Sequence, residues 1–228
     1  GGEPLVRPDI VDIVDTIRQS GFFDDISMTT NASRLERLAE PLKRAGLDRV
    51  NIGCDSLSSS LSPKTIDGVR PGLEAAVAAG LTPVKLNMVV MKGINDHEIE
   101  AFRAFAGDGA ILQLIELIPF GDDDAFFKQY HVPLQSIRDD LAARASATRL
   151  RELQGREQFD VDGATVEIVS PFHRSFCGSC TKLRVTADGQ LMPCLVRDDL
   201  RVPYTGRESV LRAIGRRELP GSATGCAE

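Results

Sequence analysis

Two apolar segments decide the fold: RVNIGCDS at residues 49–56 and PVKLNMVVM at residues 83–91. Each has the length and aliphatic character of a β-strand and ends in polar or turn-forming residues. The residues between them, from about 64 to 79 and closed by Gly80, show the spacing of a helix. A strand–helix–strand unit of this kind predicts two parallel strands joined by a right-handed crossover.

The same alternation continues on both sides of this unit. It predicts helices over about 8–19, 35–45 and 96–106, the last capped by Asp96, and strands over 26–30 and 111–118. The amino-terminal half is therefore expected to be α/β with a parallel sheet. Ligands bind at the carboxyl ends of strands in such sheets. Several polar or turn-forming residues fall there, although each alone is more typical of a turn than of a ligand contact: Thr29, Thr30, Asn31, Gly53, Asp55, Glu116 and Pro119.

The pattern changes after residue 120. A helix is predicted over 133–147, a hairpin about Asp162-Gly163, and two short strands about Asp188-Gly189. These elements indicate a smaller α+β extension. We therefore predict a (β/α) domain over residues 1–120 and an extension over 121–228.

Composition narrows the class of protein. The 228 residues carry a formal net charge of −6, which disfavours general binding to nucleic acid or to an anionic membrane. A polyanionic ligand would therefore need positive groups that are gathered locally. No apolar run is long enough to span a bilayer. Five cysteines, an odd number, favour metal chemistry in a reducing compartment such as the cytoplasm over a disulfide framework.

Three cysteines form the strongest local motif of the chain. Cys177, Cys180 and Cys194 are spaced C-x2-C-x13-C, and the Asp-Gly turn before Cys194 would fold it back toward the first pair. Thiolates at this spacing hold zinc or an iron–sulfur cluster. His173 or Cys226 could complete a four-ligand zinc site, whereas three thiolates on a cubane cluster would leave one iron open to a substrate. Buried thiols without metal are the third interpretation.

Three basic side chains are candidates for anion binding. Lys182 and Arg184 alternate directly after Cys180, so both would lie on one face of a strand, although two charges alone favour a solvated face. Lys85 stands between Val84 and Leu86 in an apolar strand. Because solvent is scarce in a parallel sheet covered by helices, Lys85 is expected to point into a cavity.

Several segments occur together and in a fixed order, and they carry a family resemblance. They are GGEP at 1–4, TTN at 29–31, NIGCDSL at 51–57, KLNMV at 85–89, GIND at 93–96, IE at 115–116, FCGSC at 176–180, LRVTADG at 183–189 and PCL at 193–195. From Gly1 to about Leu200 the chain resembles the GTP 3′,8-cyclase family of radical S-adenosylmethionine (SAM) enzymes, which start molybdenum cofactor (molybdopterin) biosynthesis.

The resemblance implies a fold, a reaction and a set of site residues. The fold is an incomplete (β/α) barrel of TIM type with a C-terminal α+β extension that carries a second [4Fe–4S] cluster. In the reaction, a radical derived from SAM takes a hydrogen from the ribose of GTP. The ribose carbon that lost this hydrogen then joins C8 of guanine. By position the second cluster would be held by Cys177, Cys180 and Cys194, SAM would contact Gly2, Glu3, Gly53 and Ile118, and GTP would contact Thr29, Lys85, Lys182, Leu183 and Arg184.

The chain also departs from the family pattern. The C-x3-C-x2-C run of the first cluster would precede Gly1, so we expect an amino-terminally truncated chain that is inactive as it stands. Gly53 replaces a serine, Lys182 replaces an arginine, and residues 221–228 lack the family's Gly-Gly ending. The resemblance implies a downstream enzyme that completes the pterin precursor. It does not indicate the electron donor, and it leaves a homodimer open.

Two other interpretations stay open at the level of the sequence. One is a different radical SAM enzyme with an auxiliary cluster. The other is an inactive or zinc-binding relative that binds a nucleotide or a partner, which His173 would support.

Overall fold

The computed structural model describes residues 2–57, 65–107, 109–119, 124–151, 155–170, 180–195 and 197–216. The helices within these residues are α1 (Ile10–Gln19), α2 (Leu35–Arg44), α3 (Ile66–Ala78), α4 (Ile99–Ala106), α5 (Asp124–Tyr130), α6 (Gln135–Arg144) and α7 (Arg207–Gly215). The strands are β1 (Ser27–Thr30), β2 (Arg49–Gly53), β3 (Val84–Val90), β4 (Ala110–Glu116), β5 (Ala147–Leu150), β6 (Glu157–Val161), β7 (Ala164–Val169), β8 (Arg184–Val185), β9 (Gln190–Met192) and β10 (Val202–Pro203).

Most elements lie where the sequence predicts them, including the hairpin about Asp162-Gly163. The prediction of a helix capped by Asp96 is wrong. Helix α4 begins at Ile99, and Asp96 Oδ1 instead accepts a hydrogen bond from Gly93 N at 3.0 Å, within the preceding turn. An aspartate can satisfy either kind of backbone donor, so its residue type does not choose between a turn and a cap.

The main sheet is mostly parallel. Its strand order is β1-β2-β3-β4-β7-β6-β5, in which β1 to β4 and β7 are parallel neighbours and β7, β6 and β5 are antiparallel. This confirms the α/β class with a parallel sheet. Strands from both sides of the predicted boundary at residue 120 share the sheet, and the division into two domains stays a prediction.

The two faces of the sheet differ in chemistry because successive side chains of a strand point to opposite sides. In β2, β3 and β4 a set of alternate residues is buried and largely apolar, and α3 and α4 pack on the sheet. In β3 the apolar set is Val84, Leu86, Met88 and Val90. The intervening residues Lys85 and Asn87 face the other side, where the sheet carries its polar groups.

A second, smaller sheet follows in the order β10-β9-β8. Its own core consists of Leu191, Val202 and Ala213, with Leu183 and Val210 packed against it. The β8–β9 hairpin is antiparallel, with Arg184 opposite Met192. None of the helices in the part of the chain described here is long and apolar enough to span a bilayer.

Candidate functional site

The face of the main sheet to which Lys85 and Asn87 point, called the inner face from here on, carries two rows of polar side chains. In the first row Thr29 lies opposite Asn51, which lies opposite Lys85. In the second row Asn87, Gln113, Glu167 and Gln158 are successive neighbours across four strands. In-register neighbours point to the same side of a sheet, so residues from six strands meet on one surface.

Glu167 is the centre of this surface. Its side chain is completely buried, and its two oxygens accept four hydrogen bonds from side chains. Lys85 Nζ donates at 2.6 Å, Gln113 Nε2 at 2.6 Å, Arg156 Nη1 at 2.8 Å and Gln158 Nε2 at 2.9 Å. Lys85 therefore points inward, as its place in an apolar strand predicts, and its charge is held against a carboxylate.

The electrostatics of the pair follow from burial and from these contacts. Burial would raise the pKa of Glu167, but the hydrogen bonds from Arg156 and Lys85 outweigh it and the pKa lies well below its ordinary value. Burial lowers the pKa of Lys85, and the bond to Glu167 opposes that change. The two groups therefore form a charged pair at neutral pH.

The loop at the start of the chain is fastened to the end of β1 by Glu3. One carboxylate oxygen of Glu3 accepts hydrogen bonds from Thr30 Oγ1 at 2.6 Å and Leu5 N at 3.0 Å, and the other from Asn31 N at 2.7 Å. Gly2 has a φ of 104°, which favours glycine. The carboxylate of Glu3 therefore positions the loop, and the backbone at Gly2 is the part that can face a ligand.

The carboxyl ends of β2 and β4 lie at the same edge of the sheet as the end of β1, to which this loop is fastened. Gly53 pairs with Asn87, whose Oδ1 is buried and has no hydrogen-bond partner among the described residues. Ile118 follows β4 and is half-buried. Glu116, at the end of β4, accepts from Ser170 Oγ and contacts His131 Nε2 at 2.7 Å, so it joins two segments that leave the sheet.

The basic residues near the small sheet are half-buried. Burial first, and then the positive charges of Arg156 and Arg184, lower the pKa of Lys182. Lys182 thus lies within electrostatic range of Arg184 and of Arg156, the arginine that binds Glu167. Leu183 between them packs against the small core, so its side chain serves the fold.

Two of the three predicted metal ligands can be located. Cys180 precedes β8 and Cys194 follows β9, so the antiparallel hairpin brings both to the same end, and both are half-buried. Cys177 lies outside the described residues, as do His173 and Cys226. The residues that are described contain no group of three or more histidine, cysteine or acidic side chains that could hold a metal ion.

Sequence reasoning missed Glu167 and its partners Gln113, Arg156 and Gln158. Glu167 did carry a signal, because it interrupts an apolar strand as Lys85 does, and two opposite charges inside apolar strands suggest a pair. Arg156 carried none, since an arginine before a strand is typical of a surface loop.

Two family models match the chain. Residues 1–106 match the Radical SAM superfamily, and residues 110–204 match Molybdenum Cofactor Synthesis C. The chain is 42% identical to a protein named "Probable GTP 3′,8-cyclase" from Methanothermobacter thermautotrophicus, over 95% of this chain and 77% of that protein. Proteins of the same name from Methanothermobacter marburgensis and Thermococcus kodakarensis are 44% and 45% identical, over 96% and 87% of this chain and 74% and 68% of those proteins.

Proposed function

Because the chain belongs to the GTP 3′,8-cyclase family, we propose that it carries the substrate-binding part of an enzyme that cyclises GTP. The product is (8S)-3′,8-cyclo-7,8-dihydroguanosine 5′-triphosphate, and the reaction is the first step of molybdenum cofactor biosynthesis. The observation that carries the proposal is the group of cations at Glu167 on the inner face of a mostly parallel sheet, Lys85 and Arg156, with Lys182 within electrostatic range of Arg156. A downstream enzyme consumes the product.

The fold suits an incomplete (β/α) barrel of TIM type. The helices α3 and α4 pack on the sheet, whose other face is polar and partly exposed at Thr29. The carboxyl ends of the parallel strands meet at one edge, where ligands bind in folds of this kind.

The residues fit the cofactors that the family uses. Cys180 and Cys194 leave one end of a hairpin, so with Cys177 they would hold a [4Fe–4S] cluster as three thiolate donors. The unpartnered Oδ1 of Asn87 beside Gly53 suits a ligand with hydroxyl or amino donors, as SAM has, and Gly2, Glu3 and Ile118 would complete that site. The bound cluster and SAM supply the radical chemistry, whereas this chain's residues bind and orient GTP.

GTP would lie between the cluster and the inner face of the sheet. Thr29, Lys85, Lys182 and Arg184 would offer donors and positive charge to it. The side chain of Leu183 packs against the small core, which leaves its backbone to contact GTP. Arginine can grip a phosphate with two parallel hydrogen bonds, whereas lysine acts as a point charge.

Two measurements test this proposal: the metal content of the reconstituted protein and its affinity for GTP. After anaerobic reconstitution with iron and sulfide, we expect about one four-iron cluster per chain, and titration calorimetry should detect binding of GTP. Stoichiometric zinc without visible charge-transfer absorption would support the zinc-binding alternative. Iron without binding of GTP would favour a radical SAM enzyme with another substrate.

The role of Arg184 leads to a prediction. Replacing it with alanine should weaken binding of GTP by about 1.5–3 kcal/mol, because a hydrogen bond to a charged phosphate is lost. Titration calorimetry of the reconstituted protein measures the effect. Arg212→Ala, on an exposed position of α7, is the control and should bind GTP as the unchanged protein does. Equal affinity of the two variants would remove Arg184 from the site.

A further inference from the structure

The charges around Glu167 do not balance. Lys85 Nζ lies 2.6 Å from the carboxylate, Arg156 Nη1 lies 2.8 Å away and Arg151 Nη1 lies 4.0 Å away. These are the ion pairs that the structure gives for the three cations, within the residues it describes. One carboxylate thus faces three positive charges, and an excess of two remains.

Arg156 also has an unused donor. Its side chain is 11% exposed, and its Nε is buried without a hydrogen-bond partner among the residues described. A buried donor without a partner is unfavourable, and a buried arginine is ordinarily paired through its whole fork. The Nη1 that donates to Glu167 fixes the direction of the guanidinium and leaves Nε available.

Arg156 interacts with both parts of the proposed substrate site. It touches Glu167, which binds Lys85, and its charge lowers the pKa of Lys182. Because like charges repel in a partly dry site, an anion in addition to Glu167 would stabilise this group of cations. A phosphate group supplies both the charge and the acceptor oxygens that Nε lacks.

We infer that Arg156 is a phosphate-binding residue for the nucleotide and that Glu167 is the positioning residue that holds it. This inference rests on the proposed function. In this arrangement Glu167 orients Arg156 and Lys85 before the nucleotide enters, and the phosphates take up the remaining positive charge. If Arg156 only neutralised Glu167, it would use Nη1 alone, and its replacement would affect the binding of ligands with and without phosphates equally.

Titration calorimetry with GTP and with guanosine, on the reconstituted protein, separates these roles. Arg156→Met keeps the aliphatic stem and removes the charge, so binding of GTP should weaken about tenfold or more, while binding of guanosine stays the same within about twofold. Arg149→Met is the matched control. Arg149 pairs with Asp160 on the neighbouring strand, its side chain is 55% exposed, and the variant should bind GTP normally.

A second variant keeps the test decisive if Arg156→Met does not fold. Arg156→Lys retains a positive charge for Glu167 but removes the planar fork of the guanidinium, so this variant should fold. Its affinity for GTP should be lower than that of the unchanged protein, and its affinity for guanosine should be the same. Unchanged binding of GTP in the folded variant, or an equal loss for guanosine, overturns the inference while the proposed function stands. Failure of the unchanged protein to bind GTP overturns both.

Discussion

Replacing Glu167 with alanine is expected to lower the free energy of unfolding by about 3–5 kcal/mol, the largest effect on stability that we predict for a single substitution. The change leaves Lys85 and Arg156 buried without their carboxylate. It also removes the acceptor for the amides of Gln113 and Gln158. Chemical denaturation followed by circular dichroism measures the loss.

Asp25→Ala is the matched control for this prediction. Asp25 accepts hydrogen bonds from two nitrogens of Arg49, so the ion pair has a similar geometry, but the side chain of Asp25 is 46% exposed. Such a pair contributes about 0–1 kcal/mol. If the free energy of unfolding falls by no more in Glu167→Ala than in Asp25→Ala, the buried cluster does not stabilise the fold as its geometry indicates.

A double substitution separates the carboxylate from its main partner. When Lys85→Met is added to Glu167→Ala, one of the uncompensated charges is removed, so the double variant should be more stable than Glu167→Ala alone. If the loss of unfolding free energy in the double variant equals the sum of the losses in Glu167→Ala and Lys85→Met, the two side chains contribute independently.

Replacing Cys194 with serine is expected to abolish stable binding of the cluster. Two thiolates would remain, and the hydroxyl of serine is a poor replacement for a soft sulfur ligand. Iron and sulfide should fall to near background after reconstitution, together with the visible absorption. Colorimetric iron analysis and absorption spectra record the effect.

Cys54 provides the control for that experiment. It is fully buried in the main hydrophobic core and lies at the end of β2, far along the chain from the cysteine motif. Cys54→Ala should therefore keep the iron content of the unchanged protein. Full iron content in Cys194→Ser would show that the metal is held elsewhere.

The sequence predicted the main sheet well because its signals are local. An apolar strand with polar ends and an amphipathic helix can each be recognised within about ten residues. The inward direction of Lys85 followed in the same way, since a charge inside an apolar strand must face the less apolar side of the sheet. The cap assigned to Asp96 was wrong because a turn competes for the same side chain.

Other features were beyond local reasoning. The last two elements of the described chain, β10 and α7, pack against each other and against β9 at the core of the small sheet, which their own residue preferences do not indicate. Arg156 resembles a surface residue until β6 is placed against β7. The proposed metal site includes Cys177, which lies outside the described residues.

By itself the sequence determined which residues are apolar or polar on each strand, and with them the α/β class and the thiolates and cations available for chemistry. Only the tertiary structure decided that Lys85 meets Glu167, because those residues lie 82 positions apart and become neighbours when β7 pairs with β4. The physical reason is that periodicity fixes the face to which a side chain points. Its partner across the sheet is fixed by the order and register of strands that are distant along the chain.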